Sequence, residues 1–221
     1  IREDGPKSHL AKSGTPTMGG ILFLLPLIVI SLALPKGNRE FALAAVLSTI
    51  GFSAVGFIDD YIKVVKKRSL GLRAYQKIIG QLVVAVALAV YAYTSPYIGS
   101  SVVIPFVGTE WDLGIFYIPI AVFIIIGTVN SVNLTDGLDG LCAGVTLIVS
   151  ATLSIIVTAA WKLASDQGTA WLIDNYRNLI VFSAALTGGC LGFLRYNSYP
   201  AQVFMGDTGS LGLGGAVAAL S

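Results

Sequence analysis

The chain has 221 residues, of which 55% are hydrophobic and only 12% are charged, and its mean hydropathy is +0.79. This composition excludes an ordinary soluble domain and indicates a membrane protein. The net charge of +2 gives no sign of nucleic-acid binding, and we predict no nucleic-acid partner.

Long uncharged tracts predict an all-α, polytopic transmembrane helix bundle that forms a single domain over residues 1–221. A hydrocarbon core roughly 30 Å thick needs about 20 helical residues, and tilt or snorkelling accommodates shorter spans. Six tracts can span it, and a seventh is expected to be cut short at the end of the chain. The predicted spans are 19–34, 41–64, 78–93, 116–129, 140–161, 178–194 and 210 onward. Turn-forming residues from 95 to 105 predict a loop outside the membrane, with a hairpin as one form it could take.

The distribution of lysine and arginine predicts the orientation, because cytoplasmic loops retain positive charge. Four of these residues fall on one side of the predicted bundle: Lys36, Arg39, Lys162 and Arg177. Ten fall on the other, which is therefore predicted to be cytoplasmic: Arg2, Lys7, Lys12, Lys63, Lys66, Lys67, Arg68, Arg73, Lys77 and Arg195. Trp111, Trp161 and Trp171 are expected at the opposite interface, where an indole N–H stays hydrated.

Two cysteines, Cys142 and Cys190, lie within or beside predicted spans near the cytoplasmic face. Their spacing is not that of a metal site. We expect buried free thiols and no disulfide.

Five aspartates begin or end the apolar tracts on the predicted cytoplasmic side: Asp59, Asp60, Asp136, Asp139 and Asp207. A carboxylate at a membrane boundary is costly unless it binds something. The five together indicate one shared polyvalent ligand, for which a magnesium ion holding a diphosphate is the best candidate.

The first two cytoplasmic motifs each allow a structural and a functional interpretation. In KSGTPTMGG, residues 12–20, Thr15 or Thr17 could cap the following helix, or Lys12 and Thr17 could bind an anionic or nucleotide ligand. In GFIDDYIK, residues 56–63, Lys63 could form only an intrahelical ion pair. Adjacent helical residues point about 100° apart, so the two aspartates of this motif should have different roles.

The other two motifs favour a ligand site. NSVNLTDGLDG, residues 130–140, holds more amide and carboxylate groups than a helix cap requires. In the fourth motif, residues 197–210, Asp207 could simply cap a helix and Phe204 could simply enter the membrane interface. Gly206 and Gly209 nevertheless allow a close approach of the backbone to a ligand.

Together, GTPTMGG, GFIDDYIK, NLTDGLDG and FMGDTGS, in this order, resemble the bacterial phospho-N-acetylmuramoyl-pentapeptide transferases (translocase I), and the resemblance runs along nearly the whole chain. It implies a ten-helix, Mg²⁺-dependent enzyme of peptidoglycan synthesis in the bacterial inner membrane. Such an enzyme moves phospho-N-acetylmuramoyl-pentapeptide from its UDP carrier to undecaprenyl phosphate, giving lipid I and UMP. The resemblance also implies a cytoplasmic active site and a homodimer.

The resemblance assigns a role to each candidate residue. Asp207 would be the magnesium ligand, Asp59 would engage or deprotonate the lipid phosphate, and Asp60 would shape the metal and diphosphate site. The remaining roles are diphosphate binding by Asn133, Asp136 and Lys67, nucleoside binding by Asp139 with Phe204 stacked on uracil, and nucleoside-side contacts by Lys12 and Thr17.

Compared with the ten-helix pattern, the chain is expected to lack the first helix and the part after Ser221, including a histidine-rich cytoplasmic loop. The nearest alternative function is a related transferase that takes UDP-N-acetylglucosamine. A more distant one is an ion-coupled transporter, whose acidic residues would normally lie near the bilayer midplane. A binding-only membrane scaffold would need no magnesium and would release no UMP.

Overall fold

A computed structural model describes residues 14–66, 71–104 and 108–221 and contains seven α-helices within them. These are α1 (Gly20–Ala33), α2 (Glu40–Val65), α3 (Ala74–Thr94), α4 (Tyr117–Thr135), α5 (Leu141–Gln167), α6 (Ala170–Asn197) and α7 (Gly206–Leu220). A hairpin of β1 (Ser101–Val103) and β2 (Glu110–Asp112) follows α3. The predicted all-α bundle and the hairpin are therefore confirmed. Helices α2 to α6 are long and apolar enough to cross a membrane, whereas α1 is apolar but shorter.

The helices run alternately up and down, so that their ends gather into two groups. At one end, the last turns of α2 meet the first turn of α7, and the α4–α5 loop meets the α6–α7 loop. We call this the acidic end, because it carries Asp59, Asp60 and Asp207. At the opposite end, the α1–α2 connection packs against the start of α6.

Helix α7 occupies the middle of the bundle, and 11 of its 15 residues are buried. Glycines permit this position because they let backbones touch. A side chain at Gly20 of α1 would collide with the backbone of Gly209, and a Cβ at Gly214 would lie 2.6 Å from the Val129 Cα of α4. A side chain at Gly56 of α2 would likewise collide with the carbonyl of Asp207. The position of α7 is thus fixed by backbone contacts.

The buried apolar residues form two clusters on either side of α2 and α7. One cluster joins these helices to α1, α5 and α6, and it includes Phe182 and Leu213. The other joins them to α3 and α4 around Phe52 and Leu211. Cys142 and Cys190 lie in the first cluster as buried free thiols, as predicted.

Two buried asparagines of α6 hold the opposite end together. The Asn178 amide donates to the carbonyls of Lys36 and Asn38 at 2.9 and 2.7 Å, and Asn175 Oδ1 accepts from the Phe41 N–H at 3.0 Å. These bonds satisfy backbone groups at the turn into α2. They also explain why α6 begins eight residues before the predicted span, since its polar first turns have partners inside the protein.

The tryptophans depart in part from the prediction. Trp111 is 61% exposed on β2, and Trp171 stacks on Tyr97 with ring centroids 3.8 Å apart. The Trp161 indole nitrogen, however, is buried and finds no hydrogen-bond partner among the described residues, so the expectation of a hydrated N–H is wrong there. The reason is that α5 continues to Gln167 and leaves Trp161 inside the helix instead of at its end.

Of the two interpretations of the first motif, capping of α1 by Thr15 or Thr17 is excluded by the structure. The residue before α1 is Gly19, and no side chain caps the helix. Its N–H groups are satisfied instead by another segment, because Gly19 and Gly20 donate to the carbonyls of Phe204 and Met205 at 2.8 and 2.9 Å. The start of α1 is therefore tied to the start of α7.

Backbone packing around α7 makes a testable prediction. Gly56→Ala should destabilise the chain by about 1–3 kcal/mol, because backbone atoms cannot make room for the added methyl group. Gly144→Ala in α5 is the matched control, since nothing lies within 4 Å of its added carbon. Thermal unfolding in detergent should show a lower midpoint for Gly56→Ala only. An equal midpoint for both variants would contradict the packing argument.

Candidate functional site

Three carboxylates meet at the acidic end. Asp59 and Asp60 lie near the end of α2, and Asp207 lies in the first turn of α7. One oxygen from each can be chosen so that all three lie within 4.8 Å of one another. Asp59 and Asp60 are only 3% and 4% exposed. Buried charges at such distances require hydrogen-bond donors or cations.

Asp60 is satisfied by the N-terminus of α7. Its Oδ1 accepts from the Asp207 N–H at 3.1 Å, and its Oδ2 accepts from the Thr208 N–H and hydroxyl at 2.8 and 2.7 Å. A carboxylate there also interacts favourably with the helix dipole. Asp60 is therefore a positioning residue that places Asp207.

Asp59 has different partners from its neighbour in sequence. Its Oδ1 accepts from the Leu72 N–H at 2.7 Å, and its Oδ2 lies 2.5 Å from Lys63 Nζ. The first bond ties the loop before α3 to the end of α2. The second is the intrahelical ion pair that the spacing indicates.

Asp207 stands at the centre of a polar network. Its Oδ2 accepts from Lys63 at 2.6 Å and from Lys77 at 3.1 Å, while its Oδ1 accepts from the Asn133 amide at 2.8 Å. The same amide donates to the Ser210 hydroxyl at 2.7 Å. Four helices, α2, α3, α4 and α7, thus contribute to the surroundings of one carboxylate.

Sequence reasoning missed Lys63 and Lys77 as members of this site. The interval of four residues from Asp59 to Lys63 showed the ion pair within α2 but not the second bond, which Lys63 makes to α7. Lys77 lies in the first turn of α3, and only the packing of α3 beside α2 and α4 brings it to Asp207 and within 3.3 Å of Asn133 Oδ1. The available signal was the concentration of six of the ten predicted cytoplasmic charges between residues 63 and 77.

The donor set fits a hard divalent cation. Mg²⁺ takes oxygen ligands and commonly uses one or two carboxylates, with phosphate and water completing its shell. Asp60 already accepts three hydrogen bonds, whereas the Oδ2 atoms of Asp59 and Asp207 are held by movable lysine side chains. Asp207 and Asp59 thus each have an oxygen that a cation could reach by displacing an ammonium group.

Asp136 follows α4 and is half-buried near the same cluster. The Gly206 backbone N–H is hydrogen-bonded to it. Burial, together with the negative charges of Asp207 and Asp60, raises the pKa of the Asp136 carboxyl to about 7. This group therefore changes its charge near neutral pH.

A second group of predicted residues lies beside this cluster. Asp139 Oδ2 accepts from the Ala201 N–H at 3.1 Å, and the Phe204 N–H donates to the Pro16 carbonyl at 2.8 Å. Thr17 follows Pro16 and is exposed. The first and fourth motifs are thus joined by backbone hydrogen bonds, next to the loop that holds Asp139.

The predicted residues are therefore distributed in two groups. Asp59, Asp60, Asn133, Asp136 and Asp207 come together at the ends of α2, α4 and α7. Thr17, Asp139 and Phe204 lie along the joined first and fourth motifs. Lys12 and Lys67 lie outside the described residues.

A bundle of apolar helices with three carboxylates and two lysines gathered at one end defines an all-α polytopic membrane protein with an acidic cluster at one end. The family model described as glycosyl transferase family 4 matches residues 42–221, and the chain belongs to this family. A shorter model, described as phospho-N-acetylmuramoyl-pentapeptide-transferase signature 1, matches residues 12–24.

Individual relatives agree with this assignment. Proteins named phospho-N-acetylmuramoyl-pentapeptide-transferase from Thermoanaerobacter sp. (strain X514) and Desulfitobacterium hafniense are 51% identical over 99% and 100% of the chain. One from Clostridioides difficile is 48% identical over 100% of the chain. The chain spans 64%, 65% and 64% of the length of these three relatives, respectively.

The pKa of Asp136 predicts a pH-dependent stability. The pKa of Asp136 is about 7 in the folded chain, compared with the ordinary value of 3.8, so the folded chain binds this proton more tightly than the unfolded chain does. The ionised carboxyl therefore increasingly destabilises the fold as pH rises from about 4 to 7, and the effect is constant above that range. Asp136→Asn should raise the unfolding midpoint more at pH 8 than at pH 5. Thermal unfolding of both chains at the two pH values, without divalent cations, measures this difference. Parallel pH profiles would refute the raised pKa.

Proposed function

We propose that this chain forms the catalytic face of a phospho-N-acetylmuramoyl-pentapeptide transferase. It would transfer phospho-N-acetylmuramoyl-pentapeptide from its UDP carrier to undecaprenyl phosphate and produce lipid I and UMP in peptidoglycan synthesis. One observation carries the proposal. The segment that matches the transferase signature is bonded through Gly19 and Gly20 to Phe204 and Met205, just before Asp207, and so is held next to the carboxylate site. The names of the relatives support the same function.

The charges of the site suit the two proposed substrates, which are both polyanions. Lys63 and Lys77 hold their ammonium groups 2.6 and 3.1 Å from one oxygen of Asp207, and they could move from this carboxylate to phosphate oxygens. Bound Mg²⁺ on Asp207 would neutralise charge on the diphosphate. Lys67, Asn133 and Asp136 are proposed to act on the same diphosphate.

The transfer itself requires positioning more than strong base catalysis. An oxygen of the lipid phosphate forms a bond to the sugar-linked phosphorus, and the bond from that phosphorus to the UMP oxygen breaks, so that UMP leaves with the electron pair. A phosphate monoester has its second pKa near 6 and is mostly dianionic at neutral pH. Asp59, held by Leu72 and Lys63, would therefore chiefly orient the lipid phosphate.

The second group of residues is proposed to bind the nucleoside. Phe204 would stack on uracil, and Asp139 would accept hydrogen bonds from the nucleoside. Lys12 and Thr17 would contact the same part of the substrate. The backbone bonds between the first and fourth motifs support this proposal, because they bring Phe204 next to Thr17.

The proposal also specifies the membrane side of the reaction and the oligomeric state of the enzyme. The acidic end would face the cytoplasm of a bacterial cell at the inner membrane, since ten of the fourteen lysines and arginines are predicted from the sequence to lie on the cytoplasmic side. Cytoplasmic UDP-sugar and the phosphate of a membrane-embedded polyprenol could then meet at one membrane face. The working assembly is proposed to be a homodimer.

Two substitutions separate metal binding from lipid positioning. Asp207→Asn should lower Mg²⁺-dependent UMP release by about a hundredfold or more, because the cation loses its carboxylate ligand. Asp59→Asn should slow turnover by about tenfold while nucleotide binding persists, because it removes only orientation of the acceptor. Asp166→Asn, at an exposed position near the end of α5, is the control and should match the parent chain. Parent-like activity of Asp207→Asn would exclude it as the metal ligand.

Substrate selectivity tests the proposed donor. The chain in detergent, with undecaprenyl phosphate and Mg²⁺, should release UMP from UDP-N-acetylmuramoyl-pentapeptide and not from UDP-N-acetylglucosamine. Both donors carry the same nucleotide and diphosphate, so the comparison isolates the sugar and peptide. Release from the N-acetylglucosamine donor alone would replace the proposal with the related transferase.

A further inference from the structure

An apolar pocket lies between α2 and α3 at the end of the bundle opposite the acidic cluster. Its volume is about 420 Å³, within the range of roughly 300–1,000 Å³ that is typical of small-molecule sites. Its apolar walls are formed by Leu43, Ala44, Leu47, Val84, Ala87 and Leu88. Leu47 is 64% exposed, so this α2–α3 pocket opens on the outer surface of the bundle.

Two polar groups at the pocket are available to a ligand. Glu40, the first residue of α2, is exposed, and no hydrogen bond or ion pair to its carboxylate is found within the described ranges. The Tyr91 hydroxyl is buried and has no hydrogen-bond partner in the same part of the chain. A third polar residue, Ser48, is already used, since its hydroxyl donates to the Gly215 carbonyl at 2.9 Å.

We propose that the α2–α3 pocket binds a phospholipid whose headgroup carries a primary ammonium, such as phosphatidylethanolamine. An acyl chain would fill the apolar pocket. The ammonium would donate to the Glu40 carboxylate and to the Tyr91 hydroxyl, because a primary ammonium has three N–H donors.

The headgroup's N–H donors and its charge distinguish this lipid from phosphatidylcholine and phosphatidylglycerol. A phosphatidylcholine headgroup has a quaternary ammonium and cannot donate a hydrogen bond to Glu40 or Tyr91. A phosphatidylglycerol headgroup has no positive charge, and its net negative charge is repelled by Glu40. Charge-assisted hydrogen bonds are the stronger kind and therefore favour the primary ammonium.

The pocket is separate from the proposed transferase site. Glu40 and Asp59 are 19 positions apart on α2, which at 1.5 Å per residue corresponds to about 28 Å. This distance is close to the thickness of a hydrocarbon core. The lipid would therefore lie in the opposite leaflet from the acidic cluster, and its binding does not depend on the proposed reaction.

Lipid competition followed by native mass spectrometry tests the proposal. The chain in detergent is mixed with equal amounts of phosphatidylethanolamine, phosphatidylcholine and phosphatidylglycerol that have identical acyl chains. The phosphatidylethanolamine adduct should exceed each of the others by about three- to fivefold, the effect expected of a partly exposed ionic contact. Glu40→Gln should reduce this preference to less than about twofold, and Tyr91→Phe should weaken it. Glu110→Gln on the exposed strand β2 should leave it unchanged.

A pocket-filling variant tests the location of the acyl chain. Ala87→Phe should reduce retention of all three lipids, while its unfolding midpoint in lipid-free detergent shows that it still folds. Equal retention of the three lipids by the parent chain would overturn the proposal and leave the pocket to a protein partner. A preference for phosphatidylethanolamine that survives Glu40→Gln, or retention unaffected by Ala87→Phe, would overturn it as well.

Discussion

The hydrogen bonds between the Asp60 carboxylate and the first turn of α7 are the constraint on which the site depends. A carboxylate that is 4% exposed would be strongly unfavourable alone, but here it meets two backbone N–H groups and one hydroxyl. The same bonds satisfy amides that a helix start leaves free. Because α7 is surrounded by other helices, fixing its first turn also fixes Asp207, and with it the point where the lysines and Asn133 converge.

The other residues of the cluster balance its charge only in part. Asp59, Asp60 and Asp207 bring three negative charges together, and Lys63 and Lys77 bring two positive charges. The lysines reach the cluster through flexible side chains, whereas the carboxylates are held by helix ends. A cation and a phosphate group can therefore exchange with the ammonium groups while the backbone stays in place. Such preorganisation is what electrostatic stabilisation of a transferring phosphoryl group requires.

Hydropathy predicted the positions of the helices well, because a helix that crosses the hydrocarbon core must contain an apolar tract of about 20 residues. It placed the end of α5 at Trp161, six residues early, because a helix can continue past the apolar tract into a segment with Lys162 and Asp166. The motifs predicted that Asp59 and Asp60 differ, since adjacent positions on a helix point in different directions. They could not show that Asp60 binds α7, or that Lys77 reaches Asp207, because those contacts join residues more than 100 positions apart.

The glycine contacts around α7 restrict which amino-acid substitutions the protein can accept. At Gly20, Gly56 and Gly209 a side chain would meet backbone or a packed neighbour, and at Gly206 it would meet the Asp60 carboxylate. A single substitution at any of these four glycines would therefore displace the first turn of α7 and, with it, Asp207. Sequence change that preserves the carboxylate cluster is thus confined to positions where an added side chain meets open space, such as Gly144 and Gly188.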